Sequence, residues 1–181
     1  FWKDAPEVRS GDLRPEEIET EVFVLPAATV AEKDGSFTNT QRLIQWHEKA
    51  VDPPGDARSD AWFIHHLFKR LKRLYADSDA ERDRPLHALR WEYPEVGPHG
   101  EPDVDVVLRE INGVRETQDG AVPLRSAAEL CDDGSTSCGC WIYCGVHTGT
   151  NRAASRDRGD GYVAPGWGFA WPNNVRMLYN R

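Results

Sequence analysis

A short apolar run that ends at a proline limits the possible folds of the amino-terminal part of the chain. Residues 22–25 read Val-Phe-Val-Leu, which is the length and β-branched content of a buried strand. Pro26 ends the run because proline cannot donate to a strand ladder. The turn Glu-Lys-Asp-Gly follows at residues 32–35, and its Asp-Gly pair predicts a positive φ. Loops at the carboxyl ends of strands bind ligands in α/β proteins, so residues 32–42 are the first candidate for a binding site.

Two amphipathic helices are predicted further along the chain. Over residues 60–75 apolar side chains recur at three- and four-residue steps, and Ser59 or Asp60 can cap the first turn. The apolar face of this helix consists of Ile64, Leu67, Phe68, Leu71, Leu74 and Tyr75. Residues 102–111 form a second such helix, for which Asn112-Gly113 is a C-terminal stop. With strands at residues 20–25 and 42–46, the pattern predicts an α/β fold with short strands and long loops.

The other segments are predicted from their turn and helix signals. We expect connecting sequence at residues 2–11, a helical turn at 14–19, a surface linker at 76–84, an extended connection at 120–126, and mostly loop beyond Leu130.

Composition and charge exclude two classes of partner. The chain has 181 residues, of which 39% are apolar and 29% charged, as in an ordinary globular protein. Its formal net charge of −8 argues against general nucleic-acid binding, which needs clustered cations. No stretch approaches the roughly 18 consecutive apolar residues of a membrane-spanning helix, so no direct membrane insertion is expected.

The four cysteines lie within a fourteen-residue stretch, as Cys131, Cys138, Cys140 and Cys144. Thiolates are good ligands for zinc and iron–sulfur clusters. Their spacing, however, matches neither the paired Cys-x2-Cys of zinc sites nor common ferredoxin runs. We therefore predict reduced, partly buried thiols, and a non-enzymatic metal-binding module built on these cysteines remains as an alternative.

No other side-chain pattern predicts a complete active site. His65 and His66 are adjacent on the predicted helix, so they point about 100° apart and cannot form an i, i+4 metal pair. We expect them to be packing or surface residues. The sequence contains no nucleophile elbow, Walker loop or dinucleotide-binding glycine fingerprint.

Several of these stretches resemble one enzyme family. Residues 25–28, Leu-Pro-Ala-Ala, together with residues 32–42, Glu-Lys-Asp-Gly-Ser-Phe-Thr-Asn-Thr-Gln-Arg, resemble a signature of the molybdopterin-dependent oxidoreductases of the dimethyl sulfoxide reductase family. Ser36 and Gln41 stand where that signature has Thr and Glu. Residues 132–145 and 167–181 resemble the catalytic (large or alpha) subunit of the formate dehydrogenase branch.

The resemblance implies an organisation for the chain. It would be an internal segment of a larger subunit and a partial layer of a multi-domain enzyme. Residues 1–75 would be part of a molybdopterin oxidoreductase α/β domain. Residues 76–181 would be a loop-rich insertion or linker region of the formate dehydrogenase type.

The resemblance also implies an activity, cofactors and partners. The complete enzyme would oxidise formate to carbon dioxide at molybdenum or tungsten held by two molybdopterin guanine dinucleotides. A [4Fe-4S] cluster, bound by a region upstream of Phe1, would carry the electrons away. The partners would be an iron–sulfur electron-transfer subunit and either a membrane cytochrome b subunit or an NAD-reducing subunit, in the cytoplasm or the periplasm. Another molybdopterin oxidoreductase, such as a nitrate reductase, is the alternative.

The resemblance places cofactor contacts in the 32–42 loop. Its predicted cofactor-binding residues are Glu32, Gly35, Thr38, Asn39 and Arg42. Gly35 would permit close approach of the backbone, and Thr38 and Asn39 would donate hydrogen bonds near the cofactor or order the loop. Alternatively, Glu32 and Arg42 would pair to hold the loop. No catalytic residue or metal ligand is expected in the chain, and the isolated segment is predicted to be inactive.

Overall fold

The computed structural model describes residues 4–38, 43–157 and 166–171. Its helices are α1 (Pro6–Ser10), α2 (Asp60–Leu74), α3 (Arg84–Ala88) and α4 (Val104–Asn112). Its strands are β1 (Gly35–Thr38), β2 (Leu43–His47), β3 (Glu95–Val96), β4 (Glu101–Pro102), β5 (Val114–Thr117), β6 (Gly120–Pro123), β7 (Thr136–Ser137) and β8 (Phe169–Ala170). The 3₁₀ turns among them are Pro15–Glu17, Val30–Glu32, Glu81–Asp83, Ala127–Glu129, Trp141–Tyr143 and Arg152–Ala154.

The predicted fold class, a mixture of helices and short strands in an α/β arrangement, is confirmed. The strands form three small sheets of order β1-β2-β8, β3-β4 and β6-β5-β7, and the pairs in all three sheets are antiparallel. In the described residues, no helix combines the length and the apolar character needed to cross a membrane.

The predicted strand at residues 20–25 is wrong. The run is extended, but it pairs with no other strand in the described part of the chain. Val22 and Phe23 are each 74% exposed, Val24 is 88% exposed and Leu25 57%. A strand needs a partner as well as β-branched residues, and no partner for this run lies among the described residues.

The next stretch forms a hairpin. Strands β1 and β2 pair from Gly35 opposite His47 to Thr38 opposite Ile44. The predicted strand at residues 42–46 is thus confirmed, displaced by one residue. Residues 36–38, predicted as loop, instead belong to β1, while Asn39 to Arg42 lie outside the described residues.

Helix α2 is confirmed in extent, but much of its predicted buried face is exposed. The Ser59 hydroxyl accepts a hydrogen bond from the Trp62 amide (2.9 Å), as expected of an N-cap. His65 is the buried residue of the helix, whereas Ile64, Leu67 and Leu74 of the predicted face are 53%, 47% and 69% exposed.

The buried side of α2 packs on the segment that leads through β3 to β4. The Phe68 and Trp91 rings have centroids 4.5 Å apart. The Trp62 indole donates to the His99 carbonyl at 2.7 Å. These aromatic contacts determine which side of the helix is covered.

Helix α4 carries the main core. It begins at Val104 rather than at the predicted Pro102, because the Asp103 carboxylate accepts from the amides of the first turn. It ends at the predicted stop, where Gly113 has a φ of 86°. The buried core cluster, which joins α4 to the β1-β2-β8 sheet, consists of Ile44, Leu108, Val146, Ala153 and Phe169.

The remaining predictions are mixed in outcome. The helical turn within residues 14–19 is confirmed as Pro15–Glu17, and the extended connection at 120–126 contains β6. The described part of the chain beyond Leu130 is mostly loop with short strands. Residues 2–11 were expected to be irregular but contain α1, and the expected linker at 76–84 contains a 3₁₀ turn that leads into α3.

Candidate functional site

The turn that leads into β1 is built by local hydrogen bonds. The Glu32 amide donates to the Thr29 carbonyl at 3.0 Å, and the Thr29 amide donates to the Glu32 carboxylate at 2.8 Å. The second bond is the glutamate half of a capping box with Thr29, which satisfies a donor that a short helix leaves free. Glu32 therefore acts within this chain as a turn-stabilising residue.

Charged side chains fasten the turn to neighbouring elements. The Lys33 ammonium lies 2.6 Å from the carboxylate of Asp60 at the start of α2. Its hydrogen bond, followed by its charge, lowers the pKa of the Asp60 carboxyl. The Asp34 carboxylate accepts from the Lys49 amide, just after β2, at 2.7 Å. The base of the β1–β2 hairpin is thereby held between α2 and the chain that follows β2.

The predicted cofactor-binding residues that the structure describes occupy different positions around this hairpin. Glu32 lies in the capping box. Gly35 opens β1 and has no positive φ, so the predicted turn glycine is wrong; the 3₁₀ turn before it redirects the chain instead. Thr38 is exposed at the end of β1. Asn39 and Arg42, and with them the suggested Glu32–Arg42 pair, lie outside the described residues.

A cavity of about 700 Å³ opens beside the base of the hairpin. Its walls come from the turn before β1, from the segment that leads through β4 to α4, and from the loop around Asn151. Its acidic lining residues are Glu32, Asp34, Glu48, Asp52, Glu101, Asp103 and Asp105, against two lysines, Lys33 and Lys49. An excess of carboxylates disfavours an anionic ligand here.

A second polar cluster lies on the buried side of α2. His65 is 1% exposed. Its Nδ1 accepts from the Trp91 indole at 3.0 Å, so the proton of the neutral ring is on Nε2, which lies 3.1 Å from the Glu95 carboxylate. Lys69 also donates to Glu95. The bond from Lys69 and then that from His65 lower the pKa of the Glu95 carboxyl to about 2.

In the described part of the chain, His65, His66 and Glu95 are the group whose ligand atoms converge closely enough for a metal ion. The hydrogen bonds oppose that use. A metal on His65 Nε2 would put the ring proton on Nδ1, facing the N–H of Trp91. His66 Nε2 lies 2.8 Å from the Gly100 carbonyl, to which it can only donate. The Glu95 carboxylate already accepts a hydrogen bond from the Lys69 ammonium. The arrangement is that of a packing cluster.

Sequence reasoning missed this cluster as a unit. Trp91 and Glu95 lie 26 and 30 positions from His65, so no local spacing could pair them. The only signal was the adjacent His65-His66 pair, which was predicted correctly to be made of packing or surface residues.

The cysteines have different environments. Cys131 is exposed, Cys138 and Cys140 are partly buried, and Cys144 is buried. All four are free thiols, as expected for reduced cysteines. Burial, followed by the neighbouring Cys138, raises the pKa of the Cys144 thiol to about 12. Among the described residues, the cysteine sulfurs do not form a group that converges closely enough for a metal ion, which weakens the alternative of a cysteine-built metal module.

Comparison with known proteins extends the interpretation of the hairpin. Residues 23–70, which include the turn, the hairpin and most of α2, match the Molybdopterin oxidoreductase family. The nitrate-inducible formate dehydrogenase major subunit of Escherichia coli K12 is 40% identical over 197 aligned positions, covering 100% of this chain. Formate dehydrogenase 2 subunit alpha (cytochrome c-553) of Nitratidesulfovibrio vulgaris is 33% identical over 92% of it. A nitrate reductase of Symbiobacterium thermophilum is 48% identical, but over 26% of the chain.

The chain belongs to the molybdopterin oxidoreductase family. Within that family, it is similar along its entire length to a segment of formate dehydrogenase major subunits. It spans about a fifth of such a relative, 19% for the Escherichia coli subunit and 17% for the Nitratidesulfovibrio vulgaris one.

Membership of this family implies a molybdenum or tungsten molybdopterin cofactor, and the described residues can be tested against it. The dinucleotide form of this cofactor carries phosphate groups, which proteins bind with arginine, lysine and free backbone amides. The cavity offers mainly carboxylates, and the Glu32 carboxylate is already used by Thr29. The cavity therefore does not fit such a cofactor.

Proposed function

We propose that the chain is a segment of the catalytic subunit of a molybdopterin-dependent formate dehydrogenase. The complete enzyme would oxidise formate to carbon dioxide, releasing two electrons and one proton. Similarity to formate dehydrogenase subunits along the whole chain, against a 26% match to a nitrate reductase, is the observation that supports this choice. The nitrate reductase alternative relies on a match over 48 residues.

The proposal includes cofactors and partners beyond these residues. The metal would be bound by two molybdopterin guanine dinucleotides, and a [4Fe-4S] cluster outside this segment would receive the electrons. An iron–sulfur subunit would accept them next, followed by a cytochrome or an NAD-reducing subunit. The name of the Nitratidesulfovibrio vulgaris relative, which includes cytochrome c-553, supports an electron-transfer partner of the cytochrome type.

The proposed role of this segment is to present Thr38 and the residues that join β1 to β2 in sequence, here called the hairpin tip, to the cofactor. Thr38, Asn39 and Arg42 would supply a hydroxyl, an amide and a guanidinium, which suit phosphate and pterin oxygens. Glu32 would act indirectly, by holding the turn that precedes Gly35 and β1. The bonds from Lys33 to Asp60 and from the Lys49 amide to Asp34 support this role, because they fix the base of the hairpin.

Formate oxidation is the first test. A polypeptide of the length of the relatives, purified with its cofactors, is expected to reduce a viologen dye with formate and to show at least tenfold less activity with nitrate and reduced dye. The 181-residue chain alone is expected to show neither activity nor bound molybdenum by elemental analysis. Stoichiometric molybdenum in the short chain, or a preference for nitrate, would contradict the proposal.

The hairpin tip can be tested separately. Asn39→Ala and Arg42→Ala in the longer polypeptide are expected to lower molybdenum occupancy or turnover by about tenfold or more, the usual effect of removing supporting groups at a metal site. Thr117→Ala, on the exposed part of β5, is the matched control and should leave both values unchanged. Normal molybdenum occupancy and normal turnover in both variants would show that the hairpin tip does not contribute to the cofactor site.

A further inference from the structure

Two of the four cysteines are in contact with each other beside the end of α4. Cys138, directly after β7, is partly buried, and Cys144 is only 1% exposed. The thiols of Cys138 and Cys144 are hydrogen-bonded to each other. Neither thiol has a part in the formate chemistry proposed above.

The end of α4 holds Cys138 from one side. The amide of the next residue, Gly139, donates to the Ile111 carbonyl in the last turn of the helix at 3.2 Å. A Cβ at Gly113 would lie 2.5 Å from the Cys138 Cβ. The side chain that Gly113 lacks therefore leaves the space in which Cys138 lies against the end of the helix.

The same helix end holds Cys144. The amide of the next residue, Gly145, donates to Asn112 Oδ1 at 2.8 Å. The Cys144 amide donates to the Trp141 carbonyl at 3.2 Å, which closes the turn before it. Successive residues at the end of α4 thus fix the backbone beside both thiols, so their contact is a built feature of this part of the chain.

A metal ion does not account for the contact. Zinc and iron–sulfur sites need about four ligands, and in the described part of the chain no three cysteine sulfurs lie close enough together to share an ion. Two thiols in contact need only a small rearrangement to reach the sulfur–sulfur distance of a disulfide, about 2.05 Å. Oxidation of the pair is therefore the chemistry that the arrangement suits.

We propose that Cys138 and Cys144 form a site of reversible oxidation, at which hydrogen peroxide converts the two thiols into a disulfide. The peroxide first oxidises the Cys138 sulfur to a sulfenic acid and is itself reduced, releasing one water. The Cys144 sulfur then attacks the Cys138 sulfur, and the S–S bond forms as the S–O bond breaks. The sulfenic hydroxyl leaves with the Cys144 proton as a second water.

Access and ionisation determine the order of these steps. The thiolate is the reactive form of cysteine. Burial, followed by the hydrogen bond with Cys138, raises the pKa of the Cys144 thiol to about 12. The partly exposed Cys138 therefore meets the peroxide first, and Cys144 reacts with the sulfenic acid. The disulfide would prevent irreversible oxidation of Cys138 to the sulfinic acid, and a dithiol reductant would restore both thiols by exchange.

Peptide mapping of the polypeptide of the length of the relatives tests the proposal. After treatment with hydrogen peroxide, free thiols are blocked with N-ethylmaleimide, and the protein is digested with endoproteinase Asp-N and chymotrypsin. Cleavage before the aspartates that follow Cys131 separates that cysteine, and cleavage within Trp141–Tyr143 separates Cys138 from Cys144. The disulfide then appears in the mass spectrum as two linked peptides.

The expected result is a link between Cys138 and Cys144, assigned by fragmentation. About half of the molecules or more should carry it, and dithiothreitol should remove it. Absence of a linked pair, or a link made through Cys131 instead, would overturn the proposal.

Variants of the longer polypeptide identify the reacting thiol. Cys138→Ser should lower the amount of linked peptide at least about tenfold and leave Cys144 as a free thiol. Cys140→Ser changes another partly buried cysteine, two residues away, and as the matched control should retain the link. Loss of the link in Cys140→Ser together with its survival in Cys138→Ser would overturn the assignment. These peptides report on this loop alone, so the result is independent of whether the enzyme oxidises formate.

Discussion

Asn112 is a fully buried polar residue whose amide group is completely used. Its Nδ2 donates to the carbonyls of Gly113 and Leu124, at 2.9 and 3.0 Å. Its Oδ1 accepts from the amides of Gly145 and His147, at 2.8 and 2.9 Å. One side chain thus connects the end of α4 to two distant loops.

Replacing Asn112 should therefore be costly. Asn112→Leu leaves several buried backbone groups unpaired, and each costs about 1–3 kcal/mol, so we expect the free energy of unfolding to fall by roughly 3 kcal/mol or more. Urea unfolding followed by tryptophan fluorescence measures the loss. Thr20→Val, which removes an exposed hydroxyl, is the control and should change stability by less than about 0.5 kcal/mol. A similarly small change for Asn112→Leu would contradict the assigned role.

Glu95 makes stability depend on acid pH. Bonds from Lys69 and His65 lower the pKa of its carboxyl from 4.5 to about 2, so the folded state favours the charged form. The stabilisation is complete above pH 4.5 and is lost as the pH falls toward 2. We expect Glu95→Gln to melt below the parent at pH 6 and to converge with it near pH 2. Glu116→Gln, which changes an exposed glutamate of β5, controls for net charge. If the melting temperatures of the parent and Glu95→Gln differed by the same amount at pH 6 and at pH 2, the effect would be disproved.

At the scale of elements, the end of α4 depends on a glycine. Gly113 has a φ of 86°, and a Cβ there would lie 2.2 Å from the Ser137 carbonyl oxygen. Gly113→Ala is expected to cost about 3 kcal/mol or more, the sum of left-handed strain and overpacking. Gly11, with a φ of 80° and nothing within 4 Å of such a Cβ, is the matched control, for which Gly11→Ala should cost about 1–2 kcal/mol by urea unfolding. Equal losses would show that the contact with Ser137 is unimportant.

The start of α2 and the end of α4 could be predicted from sequence because their causes are local. Ser59 and Gly113 act within a few residues of the ends that they define. Which face of α2 is buried could not be predicted, because Trp91 and His99 cover it from 20 to 40 positions away. The same reasoning explains residues 22–25, whose composition indicates a strand but cannot supply its partner.

At the scale of the whole molecule, the family could be recognised from the signature in residues 25–42 and from the carboxyl-terminal stretches, and the comparisons confirm it. The acidic cavity and the His65 cluster could not be foreseen, because each is assembled from segments remote in sequence. The cofactor contacts proposed for Thr38, Asn39 and Arg42 remain predictions.

Strand β2 lies between β1, a few residues before it, and β8, more than 120 residues after it. Arg156 also donates to the Trp46 carbonyl in β2, and the core combines Ile44 with Leu108 and Phe169. A protease cut between α3 and β3 would consequently leave two fragments that stay associated. Neither fragment would contain a complete core, so they should regain the native structure only by complementation, when refolded together.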